Sequence, residues 1–407
     1  MYGGYRRLNL WYNILVGIIF KLKMHKKRNK IFFLLLLFLF VNCFTKEVNA
    51  NYIKKYDFDK VNGSYPHGSL LLISDRLYGV TSSGGKNNKG IIFEYNLKKN
   101  KLINKYDFND INGTSPHGSV IFYKGKLYGM TSSGGKNDLG VIFEFNLLKD
   151  VYTKKFDFDY FDGRSPRGSF VLVEDKLYGM TSEGGINDLG VIFEWNLLEN
   201  KYSKIFDFSD DLGIDPYGTL IFQNGKLYGM AQGGGQNSSG VIFEFDIVKK
   251  NYIKKFDFNI NDGIYPKGSL LLFKNKLYGM TYQGGKNNVG TIFEFDLFSS
   301  QYKKLIDFNT KTGASPRGSL IALGKNKLLG MTFFGGKNNN GVIFEFDLGL
   351  NIYENWHNFN VVNGSFPYDS LIYDNKKLYG MTQNGGLFNK GVIFEYDLAE
   401  QSLSNFD

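Results

Sequence analysis

The chain has 407 residues, of which 43% are hydrophobic and 17% aromatic, and its formal net charge is +10. That charge is uneven: residues 1–50 carry nine Lys and Arg with one acid, whereas residues 51–407 carry 40 basic and 38 acidic side chains. A body with a net charge of only +2 attracts phosphate backbones weakly, which argues against nucleic-acid binding.

Residues 1–50 are predicted to be an N-terminal leader, and residues 24–50 are its best signal-peptide candidate. A basic stretch from Met24 precedes the apolar run IFFLLLLFLFV, and Val-Asn-Ala then ends at Ala50. This order predicts cleavage after Ala50 and a secreted or cell-surface protein. The apolar run is too short for a comfortable span of about 20 residues.

Two alternatives remain open for the leader. Cys43, the sole cysteine, could carry a lipid, and an earlier apolar segment at residues 8–20 could keep the N-terminus in the membrane. Membrane contact is expected only through an uncleaved leader. Because Cys43 lies in the leader, residues 51–407 can form no internal disulfide.

From Asn51 onward the chain is a tandem repeat with a period of 50 residues and one step of 51. The motif Leu-Tyr-Gly, or Leu-Leu-Gly in the sixth copy, begins at Leu77, Leu127, Leu177, Leu227, Leu277, Leu328 and Leu378. Each copy also holds one of the seven prolines: Pro66, Pro116, Pro166, Pro216, Pro266, Pro316 and Pro367. A period of 40–50 residues with several short strands is typical of propeller blades.

Four strand-like runs fill each repeat. In the second copy they cover residues 118–124, 126–132, 140–147 and 151–158, separated by turns rich in Gly or polar residues. No sustained helical period follows Ala50. The sequence therefore predicts an all-β domain over residues 51–407, a seven-bladed β-propeller of four-stranded antiparallel blades.

The ring is predicted to close through its N-terminal strand. Residues 51–58 form an extra copy of the fourth strand ahead of the first blade, whereas the tail 401–407 has lost the Tyr-x-Lys-Lys-aromatic pattern. Both segments compete for the outer edge of the last blade. The aromatic side chains of Tyr52, Tyr56 and Phe58 favour the N-terminal copy.

The repeated residues form the pattern P-x-G-(S/T)-(L/V/F)…(K/R)-L-Y-G-(M/V)-T…G-G…G-(V/I/T)-I-F-E. This pattern resembles the GloVer tandem repeat of exported bacterial surface proteins and is similar in layout to kelch repeats. The GloVer resemblance covers residues 51–407 and implies an extracytoplasmic β-propeller. The kelch layout implies that the loop after the second strand and the loop between blades share one face, which binds partners.

Residues kept in every copy are expected to serve the blade. The pair Gly84-Gly85 and its counterparts suit a turn that needs positive φ. The glutamate of Ile-Phe-Glu recurs seven times, and we expect it to accept from loop backbone N–H groups or to pair with a lysine. The acidic turn that begins at Asp57 suggests calcium, although its spacing departs from a calcium loop and Asx turns explain the same residues.

Residues that differ between copies are the candidate ligand-binding residues. The position after each proline holds His67, His117, Arg167, Tyr217, Lys267, Arg317 and Tyr368. These side chains would line the mouth of the central channel, where they could bind anions and stack on sugar or aromatic faces. Tyr282, Phe333 and Phe334 are expected to add an exposed aromatic patch on adjacent blades. Neutral variation on a solvated turn explains the same diversity.

No Ser/His/Asp set or zinc-ligand spacing is present, so no catalytic residue, metal ligand or cofactor is assigned. The sequence favours a monomeric binding module for a protein or glycan ligand. Two alternatives remain, a propeller hydrolase or lyase acting on carbohydrate or peptide, and a structural or adhesive surface protein.

Overall fold

The computed structural model describes residues 51–398, which form seven antiparallel sheets arranged as the blades of one propeller. The all-β prediction is confirmed, and so is the number of blades. The leader at residues 1–50 and the tail at 401–407 lie outside the described residues. Across the described range, no helix has the length and apolarity needed to cross a membrane.

Each blade has four strands of the repeat, with the first nearest the channel and the fourth at the outer edge. Blade 1 has one additional short strand, Ser64–Pro66, which pairs with the strand Arg76–Ser83. Blade 1 contains β2 (Ser64–Pro66), β3 (Leu71–Ile73), β4 (Arg76–Ser83), β5 (Ile91–Asn96) and β6 (Lys101–Asp107), and blade 2 contains β7 (Ile121–Tyr123), β8 (Lys126–Thr131), β9 (Val141–Asn146) and β10 (Val151–Asp157). Blade 3 contains β11 (Val171–Val173), β12 (Lys176–Thr181), β13 (Val191–Asn196) and β14 (Lys201–Asp207). Blade 4 contains β15 (Ile221–Gln223), β16 (Lys226–Ala231), β17 (Val241–Asp246) and β18 (Asn251–Asp257).

Blade 7 takes its fourth strand from the start of the described chain. Blades 5 to 7 contain β19 (Leu271–Phe273), β20 (Lys276–Thr281), β21 (Thr291–Asp296) and β22 (Tyr302–Asp307); β23 (Ile321–Leu323), β24 (Lys327–Thr332), β25 (Val342–Asp347) and β26 (Ile352–Asn358); β27 (Ile372–Asp374), β28 (Lys377–Thr382), β29 (Val392–Asp397) and β1 (Asn51–Asp57).

Close packing inside a blade explains the glycine of the Leu-Tyr-Gly motif. In blade 2, Gly129 pairs with Phe143 across β8 and β9. A Cβ built on Gly129 would lie 2.5 Å from Cζ of that ring, so a side chain here would collide with the buried phenyl group. The same clash recurs in every blade, which makes this glycine a packing requirement of the repeat.

The repeated glutamate joins the second strand to the third. Glu144 accepts a hydrogen bond from the Tyr128 hydroxyl at 2.9 Å and forms an ion pair with Lys126 at 2.9 Å. Lys155, on the outer strand, lies 3.8 Å from the same carboxylate. Burial raises the pKa of Glu144, but the hydrogen bonds from Lys126 and Tyr128 outweigh burial, and the pKa is lowered. The prediction of a lysine-paired glutamate is confirmed.

Aromatic stacking joins neighbouring blades from blade 1 to blade 5. In blade 2, Tyr152 stacks on Tyr106 of blade 1 with ring centroids 3.9 Å apart. The Tyr152 hydroxyl donates to the carbonyl of Asn112, in the link between the two blades, at 2.5 Å. The equivalent tyrosines of blades 3, 4 and 5 stack on Phe156, Phe206 and Phe256.

The ring closes as predicted, because β1 pairs antiparallel with β29. Tyr52 stacks on His357 of blade 6 with centroids 4.1 Å apart, in the place of the usual aromatic pair. The N–H of Tyr65 donates to the carbonyl of Lys390 at 2.9 Å, which adds a backbone contact between the first and last blades. The N-terminal strand therefore covers an edge that would otherwise be open.

The loop after the second strand and the link between blades lie at the same end of the propeller. The N–H of Gly85 donates to the carbonyl of Lys60 at 2.9 Å, and both glycines of the Gly84-Gly85 pair have positive φ, as predicted. The acidic turn is an Asx turn in which Asp59 accepts from the N–H of Asn62 at 2.5 Å. Among residues 51–398, no group of three or more His, Cys, Asp or Glu could hold a metal ion.

Candidate functional site

A turn at each proline places the side chain of the following residue in the central channel. The residue that precedes proline has a left-handed backbone in every blade: Tyr65, Ser115, Ser165, Asp215, Tyr265, Ser315 and Phe366, with φ between 52° and 58°. This conformation costs a non-glycine residue about 1–2 kcal/mol. In blade 2 the N–H of Ser115 donates to Lys89 of blade 1 at 3.0 Å, and its carbonyl accepts from Ser132 Oγ at 2.9 Å. Blade contacts therefore hold the strained turn.

A closed circle of hydrogen bonds forms the wall of the channel. The N–H of the Ser or Thr two residues after the mouth side chain donates to the hydroxyl oxygen of its counterpart in the next blade. The seven bonds measure between 2.7 and 3.2 Å and join, in order, Ser69, Ser119, Ser169, Thr219, Ser269, Ser319, Ser370 and again Ser69. Neighbouring blades are so close here that a Cβ on Gly118 would lie 2.0 Å from the carbonyl oxygen of Gly168.

All seven post-proline side chains named from the sequence line one central cavity of about 100 Å³. We call them the mouth residues: His67, His117, Arg167, Tyr217, Lys267, Arg317 and Tyr368. Each is partly exposed. Each mouth residue comes from a different blade, so the cavity combines seven side chains on one repeated backbone.

Two histidines occupy the side of the mouth formed by blades 1 and 2. Nδ1 of His67 lies 2.6 Å from Nδ1 of His117, and Nε2 of His67 lies 2.7 Å from Nε2 of Gln383. Burial lowers the pKa of His117 to about 4. Burial also lowers the pKa of His67 well below its usual value, and the neighbouring His117 adds to this effect. Both rings are therefore neutral at pH 7.

Two tyrosines meet across the channel. The hydroxyl oxygens of Tyr217 in blade 4 and Tyr368 in blade 7 lie 3.1 Å apart. Arg167 Nη1 donates to the Tyr217 hydroxyl at 2.8 Å, and His67 stacks on Tyr368 with centroids 4.4 Å apart. The mouth thus contains a polar bridge that a ligand could displace or extend.

The predicted exposed aromatic patch is only partly correct. Phe333 is 7% exposed, so it is buried and is not part of an open surface. Its ring packs against Phe366 at 5.3 Å between centroids, and the Arg317 guanidinium lies over it at 4.2 Å. Tyr282 lies beneath the same guanidinium at 5.1 Å. Phe334 is half-buried and contacts Phe333 edge-on. Phe333 is buried because Phe366 and Arg317 cover its ring. Together with Tyr282, it positions this arginine of the mouth.

A second cavity of about 320 Å³ adjoins the mouth over blades 3 and 4. It shares Arg167, Tyr217 and Lys267 with the central cavity and is also lined by Asp215 and Gln232. Gln232 Nε2 donates to the carboxylate of Asp215, while Gln232 Oε1 is buried without a partner in the described structure. Burial raises the pKa of Asp215, although Arg167 opposes this.

Sequence reasoning missed three parts of the site. Asp369 lines the channel in blade 7, where the other blades have Gly, and burial raises its pKa. Asp215 is the sole acidic residue among the seven that precede proline. The third part is the circle of Ser and Thr hydroxyls in the channel wall. Comparing the seven copies reveals both aspartates as single departures from the pattern, but the circle of hydroxyls requires the geometry.

The model of the Gloeobacter/Verrucomicrobia repeat matches the chain three times, over residues 44–174, 162–324 and 261–407. No curated protein matches the chain in sequence.

Several solved structures are similar in fold. An oligogalacturonate lyase from Vibrio parahaemolyticus has 9% identity and a TM-score of 0.56, covering 87% of this chain and 95% of the lyase chain. The GH74 enzyme of Niastella koreensis has 12% identity and a TM-score of 0.58, with 83% of this chain and 53% of the enzyme covered. The extracellular domain of a putative one-component system from B. thetaiotaomicron has 13% identity and a TM-score of 0.53, with 83% and 40% covered. At these identities the likeness shows the fold alone.

Proposed function

The chain belongs to the Gloeobacter/Verrucomicrobia repeat family, and we propose that its propeller is a secreted or cell-surface module that binds a protein or glycan ligand at the channel mouth. The observation that carries this proposal is the convergence of seven side chains of four residue types on one cavity. Around them the repeat is nearly uniform, as in the glutamate and the glycines of every blade. Side chains that differ between copies and meet at one cavity on a repeated frame are expected of a recognition site.

The side chains of the mouth have the chemistry of recognition. Tyrosine and arginine offer rigid surface and directional hydrogen bonds, and both are enriched where proteins bind ligands. Tyr217 and Tyr368 place hydroxyls over the channel, and Arg167 and Arg317 stand beside them. A sugar ring or an aromatic side chain could stack on these faces while the arginines bind its polar groups.

The loops around the mouth support a ligand larger than the cavity. In blade 3 the exposed side chains of Tyr160, Phe161 and Ile186 lie on two loops joined by a bond from the N–H of Gly185 to the carbonyl of Tyr160 at 2.7 Å. Blade 7 repeats the arrangement with Val361, Val362, Leu387 and Phe388, all at least 51% exposed. Apolar clusters of this kind, at the same end as the mouth, favour a macromolecular surface.

The test is a glycan array combined with a pull-down of cell-surface proteins, using the purified protein. We expect a ligand whose binding falls about tenfold or more in Tyr217→Ala, because aromatic residues at a site centre contribute most of the affinity. The matched control is Leu148→Ser, since Leu148 is 92% exposed on a turn between the third and fourth strands, at the opposite end. Loss of binding in the control with none in Tyr217→Ala would contradict the proposal.

The proposed location depends on the leader. We expect mass spectrometry of the exported protein to find Asn51 at or near its N-terminus, because residues 24–50 have the basic, apolar and small-residue order of a signal peptide. A soluble protein that retains residue 1 would contradict secretion by this route.

A further inference from the structure

Three cations of the mouth come together without a carboxylate partner. Arg167, Lys267 and Arg317 belong to blades 3, 5 and 6, and within residues 51–398 none of them lies within 4.0 Å of an Asp or Glu oxygen. Lys126, by contrast, forms an ion pair with Glu144. A half-buried cation that keeps its charge unpaired is costly unless a ligand compensates it.

Aromatic faces hold these cations in place. Arg167 and Lys267 lie 5.1 and 5.9 Å from the centroid of Tyr217, on blade 4 between them. Lys267 then lies 4.4 Å from the ring of Tyr282, and Arg317 lies 5.1 Å from the same ring. Cations and rings therefore alternate across four blades. A ring face orients a cation but does not neutralise it, so the positive charge remains available.

Two carboxylates lie near the three cations without forming an ion pair with them in the described structure. Asp215 and Asp369 are the acids that line the two joined cavities beside the cations, apart from Glu183 and Asp188, both of which pair with Arg164. Burial raises the pKa of both Asp215 and Asp369, and the charges of Arg167 and Lys267 oppose this rise at Asp215. Burial lowers the pKa of Lys267, and the charges of Arg317 and Arg167 lower it further, as expected for crowded like charges.

Arg317 also has unused hydrogen-bonding capacity. Its Nε is buried and has no partner in the described structure. Its guanidinium is enclosed by Tyr282, Phe333 and Tyr368, at 5.1, 4.2 and 5.1 Å from their centroids. A guanidinium whose faces are covered presents its edge, which is the geometry that binds the paired oxygens of a carboxylate or phosphate.

We propose that Arg167, Lys267 and Arg317 form an oxyanion site, which binds a carboxylate, phosphate or sulfate group of an acidic ligand at the channel mouth. This inference rests on the proposed binding function and specifies the chemistry of its ligand. The Tyr217 and Tyr368 hydroxyls complete the site as hydrogen-bond donors. An acidic group would bind here while the rest of the ligand extends over the loops of blades 3 and 7.

The experiment measures the melting temperature of the full chain with acetate, inorganic phosphate or inorganic sulfate, each against chloride at equal ionic strength. We expect at least one oxyanion to raise the melting temperature of the wild type in a saturable way. The double variant Arg167→Gln/Lys267→Gln should weaken the apparent affinity for that oxyanion about tenfold or more. A response to acetate alone would assign a carboxylate ligand, and a response to phosphate or sulfate alone would assign a tetrahedral anion.

The matched control is Lys86→Gln/Lys136→Gln, which removes two charges from exposed loop tips at the same end of the propeller. It should keep the wild-type response. Equal responses in the wild type and in Arg167→Gln/Lys267→Gln, or no response beyond that to chloride, would overturn the oxyanion site. A neutral ligand that binds the wild type and Arg167→Gln/Lys267→Gln equally would overturn the oxyanion site and leave the binding function intact. A selective oxyanion response in the wild type, with no ligand found in the glycan and protein screens, would support the oxyanion site and contradict the proposed binding function.

Discussion

At the scale of single residues, the contact between His67 and His117 limits the pH range of the mouth. With their Nδ1 atoms 2.6 Å apart, one ring must donate and the other accept, so at most one of the two nitrogens can carry a proton. If both rings were protonated, two imidazolium cations would be in contact beside Arg167. The neutral pair is therefore part of the folded structure and not merely of its surface.

This contact predicts a loss of stability in acid. The folded-state pKa of His117 is about 4, below the unfolded value of about 6.5, so the unfolded state binds more protons between these values. Stability from this group is complete above about pH 6.5 and falls as the pH drops toward about 4. Urea unfolding at pH 7.5, 5.5 and 4.5 measures the loss, which should be on the order of 1–3 kcal/mol larger in the wild type than in His67→Gln/His117→Gln.

The control is Lys86→Gln, which changes an exposed loop residue and leaves the histidine pair intact. Its stability should depend on pH as that of the wild type does. Parallel stability curves for the wild type and the double histidine variant would show that the pair does not titrate in this range.

At the scale of a blade, the motifs Leu-Tyr-Gly and Ile-Phe-Glu form one unit of paired strands. Their register places Tyr128 opposite Glu144 and Gly129 opposite Phe143. The tyrosine and glutamate form a hydrogen bond, and the glycine leaves room for the phenyl ring. The glycine and its phenylalanine are kept in all seven copies, whereas Leu329 replaces the tyrosine opposite the glutamate in the sixth.

Gly129→Ala should destabilise the protein by about 1–3 kcal/mol, because the new methyl group would overlap the ring of Phe143. The backbone of Gly129 is not left-handed, so the effect is steric. Thermal or urea unfolding measures it. Gly349→Ala is the control, since a Cβ there would meet only side chains at 3.2 Å or more.

A second arm tests the stated partner. Phe143→Leu removes the far end of the ring, so Gly129→Ala/Phe143→Leu should lose less stability than the sum of the single changes. Additive losses would mean that Gly129 serves some other contact.

Strand pattern and repeat length were sufficient to predict the blades, because a 50-residue unit with four apolar runs has few packed solutions. Comparing the copies also identified the mouth residues, because the residue after proline differs from copy to copy, as Arg167 and Tyr217 do, whereas the proline is kept. The burial of Phe333 could not be predicted, because it depends on Phe366 of the next blade and on an arginine from the link between blades. Pairings between blades are not encoded in the local pattern of either one.

At the scale of the whole molecule, the ring is one cooperative unit only if its two ends stay joined. The junction is made by β1 on β29, by the stacking of Tyr52 on His357 and by the bond from Ser370 to Ser69. That last bond, at 3.2 Å, is the longest in the circle and spans the junction that holds Asp369. The strand at the start of the described chain therefore contributes more to stability than its length suggests.

Deleting residues 51–58 should lower the melting temperature much more than deleting residues 401–407. The first deletion removes β1 and the Tyr52 contacts, opens the ring and exposes the edge of β29. Differential scanning calorimetry checks both the midpoint and the sharpness of the transition, which should broaden as blades unfold separately. The opposite order of effects would mean that the C-terminal tail closes its own blade.

The left-handed turn before each proline has a consequence for how such a protein changes over generations. Its conformation is held by the hydrogen bonds of Ser115 and its counterparts, whereas the side chain after the proline contributes no backbone bond to the turn. A single codon can therefore be rewritten at the mouth without rebuilding a blade. Duplicated genes could diverge in specificity one blade at a time, with seven sites to vary and one inherited frame.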